Sequence, residues 1–162
     1  MEHATPFAVV AAAHPSLDGA VRHFCDTLRV EIGFVGRRGA TSSTFLIALV
    51  GRLEASTPDI TLAAMVDGEV IGLARIDEAA PAGPELIVAV AATWRGQGVA
   101  MTLGRAIVAR AHAVGIPRVV LRTSRRGADL HGLADALGFQ AVDLGHGRLD
   151  LVRSLEPAIR SA

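Results

Sequence analysis

Apolar positions along the chain change their spacing several times, and each change marks an element. Phe7–Ala13 is a continuous apolar run and reads as a strand, ended at His14-Pro15 because the residue before a proline resists the helical region. Ser16 is placed to cap a helix to about Val30, with Leu17, Ala20, Val21, Phe24 and Leu28 at helical spacing. Gly33–Ser43, with three glycines and two adjacent arginines, reads as a loop. Phe45, Leu46, Leu49, Val50 and Leu53 predict a second helix that stops short of Pro58. From Ile60 the period becomes that of strands: Thr61–Val66 and Glu69–Ile76 meet at Asp67-Gly68, a hairpin-turn pair. Ala79–Pro84 is a loop. Glu85–Ala92, apolar at nearly every position, predicts a central strand covered on both faces. Gly98–Val114 is an amphipathic helix stopping at Gly115, and Arg118–Arg122 is a β-branched strand. Asp129–Leu137 is a short helix with Asp129 as its cap, followed by the hairpin Phe139–Leu144 and Arg148–Leu155.

This order predicts a mixed α/β fold on one twisted sheet flanked by helices, with residues 1–162 forming a single domain. Just over half the residues are apolar, which argues against disorder. The 16 basic and 16 acidic residues balance, so no net field draws the protein to nucleic acid. The single cysteine, Cys25, forms no intrachain disulfide and reads as a buried or half-buried thiol rather than a nucleophile. The apolar runs are too short to span a bilayer, and the first residues lack the positive start of a secretory signal. A cytoplasmic protein that binds neither membrane nor nucleic acid is expected.

The chemically informative stretch runs from Val88 to Ala100, where a buried strand enters the turn Arg95-Gly96-Gln97-Gly98 and then an amphipathic helix. A helix N-terminus presents unpartnered N–H groups and a positive dipole end to an anion. Gly96 and Gly98 leave the backbone approachable. Two phosphate-binding patterns fail here: there is no Gly-Lys-Ser/Thr ending, and Met101 stands where a dinucleotide fingerprint has its third glycine. From the residues alone the stretch is either an anion-binding turn or a plain strand-to-helix turn.

Arg95-Gly-Gln-Gly-Val-Ala100 resembles the acyl-CoA signature of the GNAT superfamily of N-acyltransferases, Arg/Gln-x-x-Gly-x-Gly/Ala. Val119-Val-Leu and Leu133-Ala-Asp-Ala-Leu-Gly-Phe139 resemble the second strand–helix unit of that family. The resemblance implies a mostly antiparallel twisted sheet with a splay between the strands ending at Ala92 and Thr123. It implies that the backbone of Val88, Ala89 and Val90 pairs with the pantetheine arm of acetyl-CoA. Arg95, Gly96, Gln97, Gly98, Val99 and Ala100 form the pyrophosphate turn, and an N–H near Val90 faces the thioester oxygen. Acyl transfer, most simply of acetyl, to a primary amine follows by direct attack, without a covalent enzyme intermediate. The acceptor is left open between a small-molecule amine and a protein lysine, as is a homodimer.

The family often uses a tyrosine where this chain has Ala134, and an asparagine where it has Gly127; the chain contains no tyrosine. Glu85-Leu-Ile-Val-Ala-Val with Trp94-Arg-Gly-Gln-Gly resembles the Pat-type bacterial protein lysine acetyltransferases, in which a glutamate at this distance from the turn is taken as the base. Glu85 is therefore either the proton acceptor or a solvated strand-end carboxylate. Arg125-Arg126 either reaches the CoA 3′-phosphate or is a solvated pair in a turn, His131 reads as a surface residue rather than a catalyst, and Asp77-Glu78 either meets a cationic substrate or ends a strand. No His, Cys and Asp cluster has metal-ligand spacing, so no metal is expected. The rival reading is a non-catalytic acyl-CoA-binding or sensing domain, which the missing tyrosine and asparagine favour; Glu85 argues against it.

Overall fold

The computed structural model describes residues 6–12, 15–35, 50–52, 60–124, 128–143 and 148–155. Strand β1 (Ala8–Ala11) and a short 3-10 turn (Pro15–Leu17) lead into helix α1 (Asp18–Val35). Residues 50–52 are helical. Strands β2 (Thr61–Val66), β3 (Glu69–Asp77) and β4 (Glu85–Val90) follow. After a 3-10 turn (Ala92–Trp94) come α2 (Val99–Ala113), β5 (Arg118–Ser124), α3 (Ala128–Ala136), β6 (Gln140–Asp143) and β7 (Arg148–Ser154). The seven strands make one sheet in the order β1-β2-β3-β4-β5-β7-β6, antiparallel throughout except where β4 meets β5.

Where the described residues cover them, the expected elements are present, with changes at their ends. α1 runs through Gly33, which the sequence reading placed in a loop. The apolar spacing Leu28, Ile32, Val35 continues past that glycine, and one helical glycine costs only about 1 kcal/mol. Asp129 lies inside α3 rather than at its cap. Residues 92–94 leave the strand for a 3-10 turn, so β4 ends at Val90. Most of the second expected helix lies outside the described residues, as do Arg125, Arg126 and Gly127. The β2–β3 hairpin turns at Asp67 and Gly68, both at positive φ, as that residue pair requires.

The sheet is covered on both faces. On one face Val99, Leu103 and Ile107 of α2 are buried against Ile71, Ala74, Ile76 and Leu86 of β3 and β4 and Val119 and Leu121 of β5, with Leu133 of α3 and Leu137 just after it beside them. On the other, Phe24, Cys25 and Leu28 of α1 pack with Val50 against Ala63, Val70, Leu73 and Ile87. Each large side chain removed from water here stabilises the fold by about 1.5–3 kcal/mol. A register shift between Ala64 and Met65 sets Val70 and Leu73 on the α1 face while Ile71 faces α2. Close approach fixes α2 against β3: a Cβ on Gly72 would stand 2.9 Å from Val99 Cγ1 and from Leu103 Cδ1, and 3.3 Å from the Ala89 carbonyl oxygen. The glycine thus lets the first turn of α2 sit directly on the sheet.

Candidate active site

β4 and β5 are neighbours that barely pair. Among the described residues, Glu85↔Val120 is their one ladder position, supported by the Val120 N–H donating to the Pro84 carbonyl at 2.8 Å. Beyond it the two strands part towards their C-terminal ends. On its other side β4 keeps full register with β3 from Asp77↔Glu85 to Gly72↔Val90. The Ala91 N–H donates to the Ile71 carbonyl at 2.8 Å, which fixes the phase of that ladder. Backbone groups alternate sides along a strand, so Ala89 turns its N–H and C=O to Leu73, while Val88 and Val90 turn theirs into the opening beside β5. Of the three β4 residues expected to line a pantetheine arm, Val88 and Val90 therefore face the opening through their backbone. Ala89 does not.

The opening leads to the turn at residues 95–98. Gly96 and Gly98 have φ of +76° and +82°, the left-handed region where a side chain is strained, and a Cβ on either would meet nothing within 4 Å. Gly98 is the N-cap of α2, and the first helical bonds return to it: the Thr102 N–H and Oγ1 both donate to the Gly98 carbonyl, at 3.0 and 2.9 Å. The N–H groups of Val99, Ala100 and Met101 therefore precede the first intrahelical bond and point out of the helix end. The turn is braced from within. Arg95 Nε donates to the Val90 carbonyl at 3.3 Å, and Gln97 Nε2 to the Thr93 carbonyl at 3.0 Å. Residues 95–98 are exposed while Val99 is buried in the core, so the turn is anchored at one end and open at the other. A positive helix end, glycines without steric cover and two outward strand amides form a continuous track that fits a pyrophosphate with an extended amide-bearing arm.

Glu85 lies where the track closes. Its side chain is 6% exposed and accepts a hydrogen bond from Arg52 Nη2 at 2.6 Å, so it is not the solvated strand-end carboxylate that the sequence allowed. Arg52 also contacts Asp77, the residue opposite Glu85 on β3, through Nε at 2.8 Å and Nη2 at 2.7 Å. Burial alone lowers the Arg52 pKa, but the hydrogen bonds to Glu85 and Asp77 and the charges of both carboxylates outweigh it and hold the guanidinium above its ordinary value. Asp77 thus serves an internal cation, and Arg52 is the residue that sequence reading missed. Its partners lie 25 and 33 residues away, and no spacing rule marks such a contact.

Ala134, where a tyrosine was looked for, is fully buried in the core shared by α2 and α3. Cys25 is buried beneath α1, as expected of a structural thiol. Among the described residues, no three or more His, Cys, Asp or Glu side chains gather to hold a metal ion. No helix among them is long and apolar enough to cross a membrane. A separate cavity of about 520 Å³ opens near the far end of α2, lined by Arg105, His112, Leu137 and Arg153 among others.

Comparison with known proteins agrees with this fold. A model of the Acetyltransferase (GNAT) family matches residues 37–139, well over half the chain. The GNAT domain of S. lividans PAT superposes with a TM-score of 0.70 at 20% identity, covering 91% of this chain and 90% of that one. A GNAT superfamily phosphinothricin acetyltransferase from Sinorhizobium meliloti, in complex with AcCoA, gives 0.67 at 17% identity over 92% and 88%. An N-acetyltransferase from Staphylococcus aureus Mu50 gives 0.67 at 15% over 93% and 99%. Among curated proteins, none matches the sequence. With the family match spanning the strand, the turn and both helices that follow, the chain belongs to the GNAT family of acetyltransferases.

Proposed function

We propose that this protein transfers an acetyl or other short acyl group from acyl-CoA to a primary amine, with Glu85 as the proton acceptor. The observation that carries the reading is the parting of β4 from β5 directly above a glycine turn and a helix N-terminus. The amides of Gly96, Gly98, Val99 and Ala100 hold the pyrophosphate, with Arg95 and Gln97 bracing the turn, and the backbone of Val88 and Val90 pairs with the pantetheine arm. The Val90 N–H faces the thioester oxygen, where negative charge grows as the amine attacks. In the transfer a C–N bond forms, the C–S bond breaks, and the electron pair leaves on the CoA sulfur. The nitrogen's surplus proton passes to Glu85 directly or through one water. No tyrosine supplies a proton to the sulfur, and a thiolate leaves adequately without one.

The likeness around Glu85 and Trp94 to the Pat-type protein lysine acetyltransferases favours a protein lysine over a small amine as the acceptor. A cytoplasmic enzyme of one domain is the setting consistent with that reaction. The burial of Glu85 in an organised charge cluster supports catalysis over the rival binding-only domain. Free-thiol release from acetyl-CoA, measured against a panel of amines and lysine peptides, tests the proposal. Glu85→Gln should bind CoA as the parent does while its turnover falls about a hundredfold, and the loss should shrink as rising pH deprotonates the amine on its own. Parental turnover in Glu85→Gln at neutral pH would remove Glu85 from the mechanism.

A further inference from the structure

Asp77 and Glu85 stand directly opposite each other on paired strands. Both fall in phase with Leu73 and Ile87, so their side chains share the α1 face of the sheet. Two like charges in that arrangement repel unless a cation joins them. Arg52 is that cation, and its contacts are unequal. Asp77 accepts from Arg52 Nε at 2.8 Å, lies 2.7 Å from Nη2 and takes the Ala79 N–H on its other oxygen at 3.1 Å, whereas Glu85 accepts from Nη2 at 2.6 Å. The guanidinium thus bridges the two carboxylates, Nε bonded to Asp77 and Nη2 to Glu85. Glu85 in turn occupies the ladder position at which the β4–β5 opening begins.

We propose that Arg52 is a positioning residue for acyl transfer, held by Asp77 so that it fixes the Glu85 carboxylate, ionised and oriented, at the closed end of the opening. The proposal rests on Glu85 as the proton acceptor. A buried carboxylate with no counter-charge would be costly to keep ionised. When the attacking amine gives up its proton, an N–H bond breaks and an O–H bond forms on Glu85, whose charge disappears. Arg52 then keeps a full counter-charge in Asp77 and stays in place, so the carboxylate is in register for the next cycle once its proton leaves to solvent. The other groups on this face are Arg75 of β3, which is buried, the apolar Val50, Val120 of β5, and Phe24, Leu28 and the Cys25 thiol of α1. His23 and Asp26 of α1 are exposed. Arg52 is in direct contact with both carboxylates.

The test follows the carboxyl carbon resonance of Glu85 across pH in protein labelled with ¹³C-glutamate and saturated with CoA. Arg52→Gln removes the cation and should move the titration midpoint up by about one pH unit or more. Asp77→Asn removes a competing negative charge while keeping an acceptor oxygen for Arg52, and should move the midpoint down. Arg52→Lys, a point charge without the planar fork, should fall between the parent and Arg52→Gln. Opposite shifts for Arg52→Gln and Asp77→Asn support the proposal; midpoints that stay put or move together in folded variants overturn it. If Arg52→Gln does not fold, Asp77→Asn decides, and a midpoint at or above the parental one overturns the proposal. Turnover of Glu85→Gln with acetyl-CoA and a lysine peptide is read separately. Loss there with unmoved midpoints sinks the role of Arg52 alone, whereas parental turnover sinks the base assignment and the role of Arg52 with it.

Discussion

A matched pair of glycines separates ligand binding from backbone strain. Gly98 begins α2 at φ +82°, and Gly115 follows its other end at φ +86°. A Cβ on either meets nothing within 4 Å, so replacement by alanine introduces no clash. What remains is the cost of a side chain in the left-handed region, about 1 kcal/mol at each position. In a chain of this size that corresponds to a fall of about 2–4 °C in Tm. Gly98→Ala and Gly115→Ala should therefore lose similar stability. Their effects on CoA should differ. The methyl of Gly98→Ala projects where the phosphate approaches the turn, and losing one N–H bond to a charged group, worth about 1.5–3 kcal/mol, weakens binding roughly tenfold to a hundredfold. Gly115 is a helix length away, about 22 Å at 1.5 Å per residue, and its replacement should leave affinity unchanged. Differential scanning calorimetry gives the first comparison and isothermal titration with CoA the second. Equal losses of affinity in both variants, or none in Gly98→Ala, would refute the assignment of the turn.

Gly72→Ala should overpack the contact between β3 and α2, costing about 1–3 kcal/mol, and because Val99 and Leu103 must shift it should also lower CoA affinity without touching the ligand. Thermal denaturation and CoA titration on the same variant check the two effects together. With no tyrosine in the chain, turnover should show no alkaline limb caused by a tyrosine acid; a pH–rate profile with an essential acid near pKa ~10 would contradict that. Ala134→Tyr should not supply such an acid, because the position is fully buried and the larger side chain would disrupt the core instead, as a drop in Tm would show.

Local chemistry made much of this protein legible from its sequence. The Asp67-Gly68 turn, the apolar run of β4 and the glycines before α2 each dictate their own conformation, and all stand where the sequence places them. The continuation of α1 through Gly33 was not legible, because a glycine punctuates a loop as readily as it interrupts a helix. The parting of β4 from β5 followed from family resemblance, since strand spacing carries no record of where two distant strands stop pairing. The charge cluster was hidden for a related reason. Asp77 reads as either a contact for a cationic substrate or a strand end, and nothing in the spacing marks Arg52; their contact exists because β3 and β4 set two carboxylates face to face and residues 50–52 pass above them.

The account turns on where acyl-CoA sits, and a crystal structure of the protein with acetyl-CoA tests that most directly. The predicted result places the pyrophosphate oxygens within hydrogen-bond reach, about 2.7–3.2 Å, of the N–H groups of Gly98, Val99 and Ala100. The pantetheine arm should run along Val88 and Val90, and the thioester oxygen should face the Val90 N–H. Acetyl-CoA bound instead in the cavity beside Arg105, His112 and Arg153, with the glycine turn left to water, would contradict the account.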